Sequence, residues 1–258
     1  IVSAALSLID EDRTVYVSAD TGLPVTIKKT RNSVVVPVET VENFLANPAT
    51  GHDLLSLLYA IRAAGGQGTF NIVEDGESYP VLIQAAKPER VKTAAGEFDT
   101  GGLVVSSGYF DLLGIKNFTI NLSVGDDRLP VLMRFRTSKG AFRVELANVQ
   151  NIEPPKPDAT PTPAPVATPR PSATPRPQPT ATPYVPDQPL LPELAFSLGE
   201  VLEYKLTSTG QSIGTLRFEA KERTLFQNRD SLLLMATVTG VDQGNKVFGL
   251  GDLLSARV

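Results

Sequence analysis

Fifteen of the 21 prolines in this 258-residue chain fall within positions 154–192, leaving six for all the rest. Proline fixes φ and removes a backbone donor, so neither a helix nor a central strand can run through such a stretch. It reads PPKPDATPTPAPVATPRPSATPRPQPTATPYVPDQPLLP and carries the unit Ala-Thr-Pro-Arg-Pro twice, from Ala167 to Pro171 and from Ala173 to Pro177. Too few apolar side chains are present to offset the ordering entropy by burial, which predicts a disordered spacer rich in polyproline II. Fully extended at about 3.1 Å per residue, it reaches ~120 Å. Pro-x-x-Pro segments also dock protein partners, but the composition favours a spacer. The chain therefore divides into a stretch 1–153, a linker 154–192 and a stretch 193–258.

A net charge of −4 and a pI near 5.2 argue against a nucleic-acid binder held by phosphate contacts. With no cysteine there are no disulfides, thiolate metal sites or cysteine nucleophiles. The opening Ile1 to Ile9 is too short to span a membrane and lacks the flanks of a signal peptide. Both ends read as cut, the last residues stopping inside what looks like a strand.

Nearly all of 1–153 reads as strand. Phe118, Ile120 and Leu122 alternate with polar neighbours, as do Leu129, Val131, Met133 and Phe135, and then Phe142, Val144 and Leu146. Such period-2 runs describe antiparallel strands with one buried face. Gly125-Asp126-Asp127-Arg128 and Ser138-Lys139-Gly140 join them into a meander. Earlier strands are expected at 14–18, 23–29, 33–38, 69–74 and 79–85, with Asp75-Gly76 as a hairpin turn. One helix is expected over about 51–64. Thr50 is its N-cap and Asp53 the carboxylate of a capping box; Leu54, Leu55, Leu57, Leu58 and Ile61 form its apolar face, and Gly65-Gly66 stops it. The expected fold is mainly β, an antiparallel curved sheet or open β-barrel with one helix. In 193–258, Leu202, Tyr204 and Leu206, then Leu216, Phe218 and Ala220, then 232–238, form a helix-free meander too small to be stable alone.

Three short pieces of the second stretch, Gly199-Glu200-Val201-Leu202-Glu203-Tyr204, Gly214-Thr215-Leu216 and Gly251-Asp252, resemble the opening half of the bacterial family called domain of unknown function 3108. The closing half of that family is similar to pieces of the first stretch: Asp20-Thr21-Gly22-Leu23-Pro24, Asp53 to Tyr59, Val91 to Phe98 and Leu129-Pro130-Val131. The halves stand in reversed order here, as in a fragment of a tandem protein: the end of one copy, a linker, the start of the next. The resemblance implies an exported, periplasmic or cell-envelope protein of antiparallel β fold with no established activity. It also makes available a pairing of 193–258 onto the open edge of 1–153, rebuilding one complete barrel.

Candidate sites are few. His52 is the only histidine and is read as an exposed first-turn residue, since no second His or Cys completes a metal site or relay. Asp10-Glu11-Asp12 and Asp126-Asp127 lack calcium-loop spacing and suit solvated turns. Neither Gly65-Gly66 nor Gly101-Gly102 is followed by the residues of a phosphate loop. Asn117-Phe118-Thr119 and Asn121-Leu122-Ser123 match glycosylation sequons but lie within a strand. Arg134, Arg136 and Arg143 suggest a basic stripe, with Glu145 placed to neutralise it. No catalytic residue, metal ligand or cofactor is assigned, and the ligand-binding residues are unknown. The reading favoured is a non-catalytic envelope module, not an enzyme, whose barrel holds an apolar or glycan ligand such as a lipid or sugar. The alternative is a structural or interaction module of linker-joined repeats. An apolar cavity above ~300 Å³ would favour the first.

Overall fold

A computed structural model describes residues 11–31, 38–152 and 196–240. The linker 154–192, the Ile1–Ile9 opening, Asp10, most of the strand expected at 33–38, and the Gly251-Asp252 piece lie outside them. The described elements are β1 (Glu11–Ser18), β2 (Pro24–Arg31), β3 (Val38–Asn43), α1 (Leu54–Ala63), β4 (Phe70–Glu74), β5 (Glu77–Thr93) and β6 (Gly96–Ser107). They continue with α2 (Gly108–Leu112), β7 (Lys116–Ser123), β8 (Pro130–Thr137), β9 (Gly140–Asn151), β10 (Glu200–Ser208), β11 (Gln211–Phe226) and β12 (Arg229–Gly240). Among the described residues no helix is long and apolar enough to cross a membrane.

The twelve strands make one antiparallel sheet in the order β3-β2-β1-β12-β11-β10-β9-β8-β7-β6-β5-β4. The three strands that follow the proline-rich stretch in sequence lie in its middle. β10 pairs with β9, Leu206 opposite Val144, and β12 pairs with β1, Leu234 opposite Val15. Two of the two-residue turns, Thr209-Gly210 and Gln227-Asn228, have both φ angles positive, as has Asp75-Gly76. That geometry matches the right-handed twist of the strands it joins.

The sheet is open, not the complete barrel that pairing of the two stretches was expected to rebuild: β3 and β4 are its edges. Charged side chains stand where backbone ladders would close it. Lys29 on β2 donates to Glu74 on β4 at 2.5 Å and pairs with Glu42 on β3 at 2.7 Å. Arg13 on β1 reaches Asp53 at 3.3 Å and Glu74 at 3.5 Å. All but Glu42 of these groups are buried. Burial alone would lower the Lys29 ammonium, but hydrogen bonds to Glu42 and Glu74 outweigh it and raise its pKa. The free edge of β4 is partly covered by His52, whose N–H donates to the Asn71 carbonyl and whose carbonyl accepts from the Val73 N–H, both at 2.8 Å.

α1 is the expected helix with a different start. Asp53, not Thr50, is its N-cap: the carboxylate accepts from the Leu55 and Ser56 amides, and the Ser56 hydroxyl accepts from the Asp53 amide at 3.1 Å. Pairing of His52 with β4 holds the preceding residues extended, so the helix cannot begin earlier. The core lies on one face of the sheet, where Leu55, Leu57, Leu58 and Ile61 of α1 cluster with inward residues of β1 and β7–β12. On the opposite face the long β5–β6 hairpin packs its Val91 and Phe98 on Val131 and Leu132.

Candidate functional site

The inward face of β7–β12 alternates large apolar side chains, and α1 presents Leu54, Leu57, Leu58 and Ile61 toward them. The two surfaces do not meet everywhere. Between them lies a pocket of about 150 Å³, whose wall includes Phe110, Phe118, Ile120, Met133, Phe135, Val144, Leu206, Leu216, Phe218 and Val238. Every side chain lining it is apolar. Leu54, Phe118, Phe135, Leu216 and Val238 are only half-buried and mark its mouth. The wall draws on both sides of the proline-rich stretch, since β10–β12 supply Leu206, Leu216, Phe218 and Val238. A dry cavity of this size accepts a benzene-sized guest. It is smaller than the ~300 Å³ of an ordinary small-molecule site.

A second hollow of about 370 Å³ lies against the other side of α1, lined by the Asp20-Thr21-Gly22 turn, His52, Ser56, Tyr59, Phe70 and Phe196 among others. His52 is therefore not the exposed first-turn residue expected. It precedes the helix, half-buried, with Nδ1 shielded and lacking a hydrogen-bond partner among the described residues. Burial pushes its pKa down, and the Asp53 carboxylate only partly opposes this.

Beneath that hollow is a buried polar group that local sequence patterns do not show. Arg62 Nη1 and Nη2 donate to Glu200 Oε1 and Oε2 at 2.6 and 2.8 Å, and Arg62 Nε donates to the Asp127 carbonyl at 2.7 Å. The Tyr59 and Tyr204 phenols lie alongside, their pKa values raised by burial and by the Glu200 charge, and neither hydroxyl has a partner among the described residues. Arg62 and Tyr204 are closed off from solvent, at 1% and 0% exposure, so this is a core cluster and not a cleft in which substrate reacts. It gives the Gly-Glu-x-Leu-x-Tyr motif a structural role. Gly199, at φ +84°, lets the chain pass against the Ile152 carbonyl; Glu200 holds α1; Leu202 and Tyr204 enter the core.

The remaining candidates are dispersed. Asp126 and Asp127 are exposed in the β7–β8 turn. Glu42, Glu74 and Asp75 bring carboxylate oxygens within 4.8 Å of one another, but the Lys29 ammonium is already the cation among them. Gly65-Gly66 follows α1, whereas Gly101-Gly102 lies inside β6, a strand the sequence reading missed. Asn121 is buried and donates to Thr100 Oγ1 at 2.9 Å, leaving only Asn117 of the two sequon asparagines exposed. Arg134, Arg136 and Arg143 do come together on one face, with Arg134 directly opposite Arg143.

No curated protein and no solved structure matches the chain. A family model described as "protein of unknown function (DUF3108)" matches residues 25–147, running from β2 nearly to the end of β9. That match, to just under half of the chain, supports the resemblance to the DUF3108 family over those residues.

Proposed function

We propose that this chain is a non-catalytic cell-envelope module that holds a small apolar moiety, such as the end of an acyl chain, in the pocket between α1 and β7–β12. The observation that carries the reading is the wall itself, open at a mouth and lined by apolar side chains alone. Such a wall offers a sugar hydroxyl no hydrogen bond, so an apolar guest is favoured over a glycan. Size limits the strength. Roughly five buried methylenes at ~0.8 kcal/mol each supply about 4 kcal/mol, a millimolar affinity. Tighter binding requires the rest of the ligand to make contacts outside the mouth. Envelope location and linker-joined copies belong to the same proposal, supported by the family resemblance and by the reversed order of its two halves.

The chain has two methionines, and only Met133 lines the pocket. In methyl NMR, titrating 1-hexanol is expected to move the Met133 signal saturably and leave Met235 in place; equal shifts, or none, would refute the reading. Native mass spectrometry of the full-length protein taken from its own envelope then identifies a resident lipid. A second reading, an interaction module, is favoured by edge strand β3, where Val38 and Val41 are 54% and 58% exposed. Concentration-dependent self-association abolished by Val41→Lys would support it.

A further inference from the structure

On the face of the sheet opposite the apolar pocket, we infer a binding site for a phosphate-type oxyanion centred on Arg134, Arg136 and Arg143. The three arginines line an open hollow of about 550 Å³ together with Asn117, Thr119 and Thr207, and among the described residues no acidic one lines it. Strand register assembles it: Thr119 stands opposite Arg134, Arg134 opposite Arg143, and Arg143 opposite Thr207, one row across four strands. Like charges directly opposite one another are destabilising in a sheet unless something neutralises them. Arg134 is held from outside the hollow by Glu89 at 2.7 and 2.9 Å, and Arg143 by Glu145 at 2.7 Å. Arg136, two residues along the same face, is exposed and has no carboxylate or hydrogen-bond partner among the described residues. Three cations against two carboxylates leave one positive charge uncompensated. Each guanidinium has five N–H donors, and one carboxylate cannot occupy them all. A tetrahedral oxyanion supplies several acceptor oxygens at once, and the arginine fork suits it better than an ammonium would.

The test is a calorimetric titration at low salt in two arms: inorganic phosphate, and vesicles of phosphatidylglycerol in phosphatidylcholine. Saturable binding that weakens about tenfold in Arg136→Gln and falls with added salt supports the site. Arg90→Gln, at an exposed arginine on the β5–β6 hairpin, should leave it unchanged. Binding to the vesicles alone, equally lost in Arg136→Gln, places the phosphoryl group on a lipid; binding in the phosphate arm makes it a free or small-molecule group. Absence of binding in both arms, or affinity indifferent to Arg136→Gln, overturns the inference. Arg136 is exposed and has no ion pair or hydrogen bond among the described residues, so an unchanged melting curve for the variant is the control. Arg143→Gln provides an independent second loss.

Discussion

Arg62 on α1 and Glu200 at the start of β10 form a two-pronged ion pair across 138 residues of sequence, buried beneath the second hollow. One partner precedes the proline-rich stretch and the other follows it. Removing either leaves an uncompensated charge in the core. Glu200→Ala is expected to cost about 3–5 kcal/mol in urea denaturation. Replacing both, Arg62→Leu with Glu200→Leu, should cost less than either single change, because no charge remains to be desolvated. A double variant as damaged as the sum of the singles would contradict the assignment.

Gly199 makes a second prediction about the same junction. At its φ of +84° a Cβ would stand 1.8 Å from the Ile152 carbonyl oxygen, and that backbone oxygen belongs to the residue whose N–H donates to the Gly199 carbonyl at 2.8 Å. Gly199→Ala therefore combines a left-handed conformation with a backbone clash and is expected to cost at least about 1–3 kcal/mol. Faster amide exchange at Ile152 in that variant locates the damage at the β9–β10 junction.

His52 gives the fold a pH dependence with a definite sign. Its pKa is lowered below the ordinary 6.5 by burial, so below that value the unfolded chain takes up a proton more readily than the folded one. Stability is therefore retained above about pH 6.5 and lost as pH falls from there toward the depressed folded value. As His52 is the only histidine, His52→Gln should flatten that slope in urea melts between about pH 7.5 and 5. A slope unchanged in the variant would assign it to carboxylates instead.

Filling the apolar pocket tests its role without touching its mouth. Val144→Phe adds volume inside a 150 Å³ space, so it should cost less than the ~1–3 kcal/mol typical of overpacking a full core. The same change should abolish the 1-hexanol response at Met133. Intact binding in a folded Val144→Phe protein would place the guest elsewhere.

How much of this the sequence carries depends on the distance over which each feature is built. The β7–β9 meander is legible because Ile120, Met133 and Val144 belong to clean period-2 runs. Strand β6 is not, since Gly101-Gly102 and Ser106-Ser107 break its alternation, and the five-residue α2 is too short to show periodicity. The helix is legible but its cap is not: Thr50 and Asp53 fit the capping-box spacing, and only the pairing of His52 with β4 moves the start to Asp53. The strand and α1 side chains of the apolar pocket read as inward-facing, while Phe110 on α2 and Ile115 do not, and the space left between α1 and the sheet depends on packing that no local pattern encodes. The stripe of Arg134, Arg136 and Arg143 is visible in sequence, whereas the salt bridge from Glu89 on the distant hairpin is not.

The pocket exists only if the segments before and after the proline-rich stretch share one sheet, with β10 on β9 and β12 on β1. Because the chain has no cysteine, paired substitutions report this without background. Glu145 stands opposite Lys205, and Thr14 opposite Met235, on the face away from α1. Opposed residues in an antiparallel pair lie about 4.5–5.5 Å apart at Cα, within disulfide reach. Mild oxidation of Glu145→Cys/Lys205→Cys and of Thr14→Cys/Met235→Cys should give a crosslink within each chain, keeping the two pieces together after cleavage at a protease site introduced between residues 152 and 196. Free thiols in both variants, or crosslinks found only between molecules, would contradict the single sheet and the pocket built on it.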